Sequence, residues 1–548
     1  MFYSKGTQRG AAGVTIYTTV RGADDVPLTV PELLRRQVPA RADHPLLVCD
    51  DETLTYAEAG RRSAALAKGL LAAGAGPGTR VGILHPNSAQ FVVGWLAAAR
   101  IGAVSFPLST FSTDTELASL LRGADIEVLL SATSYRSRDF AAALSQATGG
   151  DDLSAAPLLN PALPALRRIV FAGQGDGDFI AAGAQVPDEI LAAAGEAVTP
   201  PDRMVVIHTS GSSSAPKGVI HQHGPLIRHM ANLNEVRRLG RDDVLFAPSP
   251  FFWIGGFAFV LLATMIAGAT VVYSGQREPE RVLDLLERTR PTMTNGFAVA
   301  VAPLAAHPTF GRRDLGSMRR GNLYPIMAPD ARPADPGLRH SMLGMTEGGS
   351  TVLLSDDDSD QPESRRGSFG QPAPGFAARV VDPDTGLDCP PGEPGELWLR
   401  GPFLMEGYYG RERGQTFTAD QWYRTGDQFT VDADGFYYFK GRRGEMIKTS
   451  GANVSPREVE AAIADLTGLT AYVVGVEDEA RGQVVTAMIR VTAGHDHPDP
   501  DQLREQLRTR LSAYKVPRRI VLATDAEVPM MSSGKVDLRA LKARLRDA

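Results

Sequence analysis

Cysteine is nearly absent: Cys49 and Cys389 are the only two in 548 residues. Two thiols so far apart support neither a disulfide framework nor a zinc cluster, and they agree with a reducing compartment, so a cytoplasmic location is expected. A basic excess is missing as well. With 57 Lys and Arg against 63 Asp and Glu, the formal net charge is -6, which leaves no broad positive field for nucleic acid or an anionic membrane, and no nucleic-acid partner is expected. Long apolar runs are equally scarce. Only FAFVLLATMIAGATVVY (257–273) approaches the ~20 residues of a membrane helix. Its break at Ala267, Gly268 and Ala269, followed by β-branched TVVY, predicts a buried helix, a turn and a buried strand instead, hence no transmembrane segment. The N-terminus has no apolar core of secretory-signal length, so residues 1–28 are expected to be an extension ahead of the fold proper. No short tandem repeat is present, which excludes a solenoid.

What is present is ordinary globular material, 43% hydrophobic and 22% charged. The length exceeds one compact core and predicts a large domain, itself divisible, with a smaller one after it. From Leu54, LTYAEAGRRSAALAKGLLAAG reads as a strand end and an amphipathic helix, RVGILHPNS as a strand and loop, and AQFVVGWLAAARIGAVSFPLS as helix and strand. This alternation marks a parallel sheet with crossover helices. EVLLSA, RRIVFAG and VLFAPSP extend the set of strands, and DLLERTRPTMTNGFA repeats the helix-to-strand pattern. After Glu347 the texture changes: SDDDSDQPESRRGS is an acidic polar loop, and ARVVDPDTGLDCPPGEPGELWLRG and FTVDADGFYYFKGRR are turn-punctuated strands of a β-rich subdomain. Beyond Gly444, SPREVEAAIADL, AYVVGV, VVTAMIRV and DQLREQLRTRL predict a small α+β domain. The expected class is therefore α/β: a large domain over 29–443 with mainly parallel sheets, crossover helices and a β-rich subdomain, then a small mobile α+β domain over 444–548.

One stretch asks for chemistry. TSGSSSAPKG (209–218) lacks the second glycine and final hydroxyl of a Walker A loop, yet its small residues, hydroxyls and lysine suit an anion. Ser214 to Lys217 also matches the SxxK pattern of serine nucleophiles, although Pro216 opposes the helix which that pattern needs and its partner motifs are missing. A plain Gly/Ser turn is the third reading. The series HxHx5H formed by His221, His223 and His229 lacks a further ligand for a metal and reads as structural or solvated.

Four other stretches follow in order: LGMTEGG (343–349), YRTGD (423–427), FKGRRGEMIKTSGANVSPREVE (439–460) and PMMSSGKVDLRAL (529–541). Together with TSGSSSAPKG they resemble the ANL superfamily of adenylate-forming enzymes, from Leu54 to the C-terminus. The resemblance implies that Thr209, Ser210, Gly211, Ser212, Ser213 and Lys217 hold the ATP β- and γ-phosphates. Leu343, Gly344 and Met345 would border the nucleotide, with Thr346 at the α-phosphate and Glu347 as a ligand of Mg²⁺. Asp427 and Arg442 would reach the ribose hydroxyls, and Lys535 would be the catalytic lysine, with Lys217, Thr346 and Glu347 beside it in the chemistry. Gly444 falls at the family's hinge. Lys448, Ser450, Gly451 and Asn453 would line the passage for pantetheine. Trp253, Gly255, Gly256, Asn295, Gly296 and Phe297 would form an apolar acid pocket.

The chain departs from the family pattern in places. Serine replaces glycine at Ser214, Leu343 stands where relatives place an aromatic against adenine, Trp253 replaces a histidine, and Gly444 replaces aspartate or lysine. The glycine-rich stretch bordering adenine gives way to RRGNLYPIMAPDARPADPGLRH (319–340), where Asn322, Leu323 and Tyr324 have no assigned roles. The resemblance implies an ATP- and Mg²⁺-dependent ligase, monomeric or homodimeric, that activates a fatty or aromatic acid and passes it to CoA. A carrier-protein or amine acceptor, activation of nitrite for N–N bond formation, and a non-catalytic binder on the same fold are the alternatives.

Overall fold

A computed structural model describes residues 7–9, 15–17, 26–173, 176–209, 217–442, 447–449, 452–454, 456–478, 482–491, 497–511, 515–531 and 535–547. Helix starts follow local chemistry. Thr55 and Glu58 form a reciprocal capping box ahead of the helix Tyr56–Ala72, and Thr113 and Glu116 do the same for Asp114–Gly123.

Two sheets carry the large part of the chain. In the first, Arg168–Phe171, Val128–Ser131, Arg80–Leu84, Val104–Pro107 and Arg203–Thr209 run parallel, and Lys217–Gln222 and Gly407–Tyr408 add antiparallel strands at one edge. In the second, Arg320–Gly321, Met293–Thr294, Val244–Phe246, Thr270–Tyr273 and Pro45–Cys49 are parallel, with Glu52–Thr55 antiparallel at the edge. One apolar cluster joins both sheets through Ile207, Val219, Leu47, Leu245 and Val271 and includes Phe91 and Trp95 of Ala89–Arg100 and Met230 of His223–Arg237. Burying both faces of such sheets accounts for their nearly continuous apolar strands.

The run 257–273 folds inward as expected. A π-helical segment, Gly255–Leu262, continues into Ala263–Ala267, Gly268 turns the chain at φ +72, and Thr270–Tyr273 is a buried strand. No helix among the described residues is long and apolar enough to cross a membrane.

The β-rich part is an antiparallel sheet in the order Thr7–Arg9, Thr15–Tyr17, Ala377–Val381, Gly395–Arg400, Tyr423–Val431, Tyr437–Arg442. Its first two strands lie in the stretch read as an extension ahead of the fold. Thr15 and Ile16 pair with Ala378 and Ala377, so this part of the N-terminus completes a sheet whose edge it covers. From Ile447 onward, separate apolar clusters form around Ala471–Asp478, Gly482–Arg490 and the helices Pro456–Thr467, Pro500–Arg508 and Leu538–Asp547. Arg519–Ala523 pairs parallel to Gly482–Arg490, giving the expected α+β texture.

Both cysteines are unpaired. Burial pushes the Cys49 thiol up to about 12, which leaves it a poor nucleophile.

Candidate active site

A cavity of about 1140 Å³ opens where the first sheet, the turn Thr346–Gly348, the antiparallel sheet and the C-terminal part meet. Thr209 and Lys217 stand opposite each other in the antiparallel ladder of Arg203–Thr209 and Lys217–Gln222, so the two ends of the serine-rich stretch are held side by side at the cavity wall. Gly218 is required there: a Cβ would lie 2.8 Å from Val206 Cγ1 and 3.1 Å from Tyr409 Cβ. Ser210, Gly211, Ser212 and Ser213 lie outside the described residues, as does Ser214.

Leu343–Met345 is a short strand on Ser350–Leu354, with Gly344 opposite Thr351 and Met345 opposite Ser350. The chain then turns through Thr346 and Glu347, reversing at Gly349 with φ +71. Two contacts hold this turn. His221 Nε2–H donates to the Thr346 carbonyl at 2.8 Å, and Met405 N–H donates to the Glu347 carbonyl at 2.8 Å. Burial lowers the His221 imidazole to about 4, so at neutral pH it is uncharged and its proton sits on the donating nitrogen.

The Glu347 carboxylate lines the cavity and accepts the Tyr408 hydroxyl through Oε1 at 2.7 Å. Tyr408 Oη is 3.2 Å from that of Tyr423, and the Lys217 ammonium lies 5.1 Å from the centre of the Tyr408 ring. Burial and the Glu347 charge push the Tyr408 hydroxyl well above the usual phenol range, keeping it a donor.

Asp427 also lines the cavity, on the strand Tyr423–Val431. Its Cα partner across the ladder is Arg442, the second residue predicted for the ribose; that side chain lies outside the described ones. The backbone before Asp427 is specified closely. Gly426, at φ +75, donates to Glu396 Oε1 at 2.9 Å, and Thr425 accepts from Asp427 N–H while donating to the Leu397 carbonyl. Lys535 is exposed and reaches the same cavity, with Arg539 and Lys542 of the last helix nearby.

Trp253, Gly255, Gly256, Asn295, Gly296 and Phe297 all line one side, joined by Ile254 and Phe259. Phe111 and Phe252 meet the Trp253 ring edge-on, at centroid distances of 6.2 and 5.9 Å. Asn322 clasps Gly296 from both sides, its carbonyl accepting from Gly296 N–H and its amide donating to Gly296 O, each at 3.0 Å. That gives the unassigned stretch 319–340 a place: Asn322 shapes the wall, Leu323 is buried, and Tyr324 lies off the cavity in a 3-10 turn.

Every predicted site residue whose side chain is described therefore faces one cavity. The hinge residue Gly444 and the passage residues Ser450 and Gly451 lie outside the described residues, and Lys448 and Asn453 are described only as backbone, Cα partners in a hairpin. Sequence reasoning missed Tyr408, Tyr423 and His208 as cavity residues. Tyr423 opens the quoted YRTGD, whereas Tyr408 sits in an apolar stretch that reads as core. His208 immediately precedes the serine-rich stretch, and burial lowers it to about 4.

His221, His223 and His229 are structural. All three are buried, not solvated; His223 Nδ1 accepts from Val30 N–H at 3.2 Å, and His229 stacks on Phe403. Among the described residues, no group of three His, Cys, Asp or Glu side chains could hold a metal ion.

Known proteins match along almost the whole chain. The family described as AMP-binding enzyme matches residues 34–409, and that described as AMP-binding enzyme C-terminal domain matches residues 458–535. A feruloyl-CoA synthase from Amycolatopsis sp. is 34% identical over 490 residues, 88% of this chain and 92% of that protein. A 4-coumarate--CoA ligase 5 from Oryza sativa subsp. japonica is 29% identical over 516 residues, 90% of each. Among solved structures, the anthranilate CoA ligase AuaEII in complex with anthranoyl-AMP superposes with a TM-score of 0.79 at 26% identity, covering 96% of this chain and 99% of that one. ATP-bound MatB from Rhodopseudomonas palustris gives 0.77 at 25% identity, covering 94% and 99%.

Proposed function

The chain belongs to the AMP-binding enzyme family, and from that premise we propose that it is an AMP-forming acid–thiol ligase which activates an aromatic carboxylic acid with ATP and passes the acyl group to CoA. The observation that carries this reading is a single cavity lined by Thr209, Lys217, Thr346, Glu347, Asp427 and Lys535, brought together from separate motifs. The feruloyl-CoA synthase, the 4-coumarate--CoA ligase and the anthranilate CoA ligase among its relatives support it.

A carboxylate resists thiol attack because its leaving group would be oxide. In the first half-reaction a carboxylate oxygen attacks the α-phosphorus of ATP and pyrophosphate departs, leaving an acyl-adenylate. Lys217 and the hydroxyls of 209–213 hold the β- and γ-phosphates, Thr346 faces the α-phosphate, and Lys535 places its ammonium where charge builds between the acid and the phosphorus. Asp427 accepts the ribose hydroxyls, with Arg442 across the ladder. In the second half-reaction the thiol sulfur attacks the acyl carbonyl and AMP departs, a far better leaving group than oxide.

The donor set fits Mg²⁺. Glu347 is a hard carboxylate facing the cavity, its Oε2 has no hydrogen-bond partner among the described residues, and an ion held mainly by phosphates and water needs no cage of protein ligands. When bound, the ion would neutralise phosphate charge.

The acid occupies the side of Trp253, Phe259 and Phe297. Phe297 is 70% exposed, a large apolar surface for an acid to cover. We place the domain boundary at 443–444, with rotation at Gly444 withdrawing Lys535 and bringing 448–453 over the site for the thiol. Activation of nitrite or transfer to an amine has no observation in its favour here.

Pyrophosphate exchange across hydroxycinnamates, benzoates, medium-chain fatty acids and nitrite tests the reading, with mass spectrometry for acyl-AMP and acyl-CoA. Exchange led by aromatic carboxylates, with thioester formed on adding CoA, is expected. Exchange dependent on nitrite alone, or an adenylate inert to CoA, would sink it.

A further inference from the structure

We propose that Tyr408 is a positioning residue which holds the Glu347 carboxylate and the Lys217 ammonium in a fixed relation; the assignment rests on the ligase reading. The hydroxyl donates to Glu347 Oε1 at 2.7 Å, and the Lys217 ammonium lies 5.1 Å from the centre of the same ring. One buried side chain therefore engages both groups, through its polar end and its π face.

The main chain sets this arrangement. The strand Gly407–Tyr408 pairs with Lys217–Gln222, Tyr408 opposite Val219, and Tyr409 N–H donates to the Gly218 carbonyl at 2.7 Å. On the other side Met405 N–H donates to the Glu347 carbonyl at 2.8 Å. Tyr408 is thus stitched between the lysine strand and the glutamate turn by backbone contacts on both sides. The Tyr423 hydroxyl, 3.2 Å away, fixes the direction of the phenol and links it to the strand that bears Asp427.

The consequence is preorganisation. A glutamate and a lysine projecting into a wide cavity would each sample many rotamers, and fixing them beforehand removes that cost when phosphate binds. Oε1 already accepts from tyrosine, so Oε2, with no partner among the described residues, is the freer oxygen for a cation. Phenylalanine would preserve only the lysine contact, and an aliphatic residue neither.

The test uses the full-length chain with Tyr408→Phe, Tyr408→Leu, Glu347→Gln and the double variant Tyr408→Phe/Glu347→Gln. The probes are ATP in the presence of a chelator, by calorimetry, and Mn²⁺ added to the ATP complex, by electron paramagnetic resonance. Tyr408→Phe is expected to keep metal-free ATP affinity within about twofold and to weaken Mn²⁺ loading about tenfold, the scale of one hydrogen bond to a charged group. Adding it to Glu347→Gln should cost nothing further, since the hydroxyl acts through that carboxylate. Tyr408→Leu should also weaken metal-free ATP binding several-fold. Unchanged Mn²⁺ loading in Tyr408→Phe, or effects that add in the double variant, overturns the assignment. If Tyr408→Leu does not fold, Tyr408→Phe and the double variant decide alone. A wild-type chain that bound no ATP would overturn the ligase reading and this assignment with it.

Discussion

His221 and Thr346 are joined by a hydrogen bond of 2.8 Å from a buried imidazole to a backbone carbonyl, 125 residues apart in the chain. It ties the strand that begins at Lys217 to the turn that presents Glu347, and the burial of the imidazole, rather than the bond itself, requires the ring to stay neutral.

That requirement predicts a pH dependence of stability. Burial lowers His85, His208, His221 and His223 to about 4 and His229 to about 3, against an ordinary value of 6.5. A folded-state value below the unfolded one means that the unfolded chain takes up protons first. The stabilisation is complete above pH 6.5 and is lost as pH falls from 6.5 towards 4. Urea midpoints should be level from pH 7 to 8 and fall steeply below 6.5. His221→Ala should cost about 1–3 kcal/mol at pH 7 through the unpaired carbonyl and flatten the acid limb.

Replacing Lys535 by alanine should slow adenylate formation about 10²- to 10³-fold, the scale for losing one preorganised group that stabilises transition-state charge. ATP affinity should change by no more than about twofold, because Lys217 and Asp427 remain. Pyrophosphate exchange alongside calorimetry separates the two, and unchanged exchange would refute the role.

Adjacent glycines should behave differently. A Cβ on Gly255 meets nothing within 4 Å, whereas on Gly256 it would lie 2.0 Å from the Pro250 carbonyl oxygen. Gly255→Leu should leave the melting temperature nearly unchanged and raise KM for the bulkiest accepted acids about tenfold or more, because the side chain enters the cavity. Gly256→Ala should cost about 2–3 kcal/mol of stability in thermal melts.

Asp427→Ala should raise KM for ATP about tenfold while leaving KM for the acid within about twofold, since the ribose would lose a charged acceptor. Equal effects on both substrates would argue against a ribose contact.

Much of this was legible in the sequence because its physics is local. The alternation of apolar strands with amphipathic helices between Leu54 and Phe171, and the break at Gly268, depend on side-chain periodicity and backbone preference over a few residues. The site residues whose side chains are described were legible for another reason: five short stretches in order resemble one family, and the cavity brings their side chains together. The strands Thr7–Arg9 and Thr15–Tyr17 were not legible. Thr15–Tyr17 joins the sheet by pairing with Ala377 and Ala378, hundreds of residues away, and Thr7–Arg9 joins it only through Thr15–Tyr17.

Composition, period and motif, all written along the chain, set the class of fold and the order of its elements from Leu54 onward, and they marked out candidate groups for a nucleotide. Only the tertiary structure decided that Tyr408 touches both Glu347 and Lys217, that His221 supports Thr346, and that Asn322 clasps Gly296. Each of these is a contact between residues far apart in the chain, created by strand pairing and burial, and no local pattern in the sequence records it.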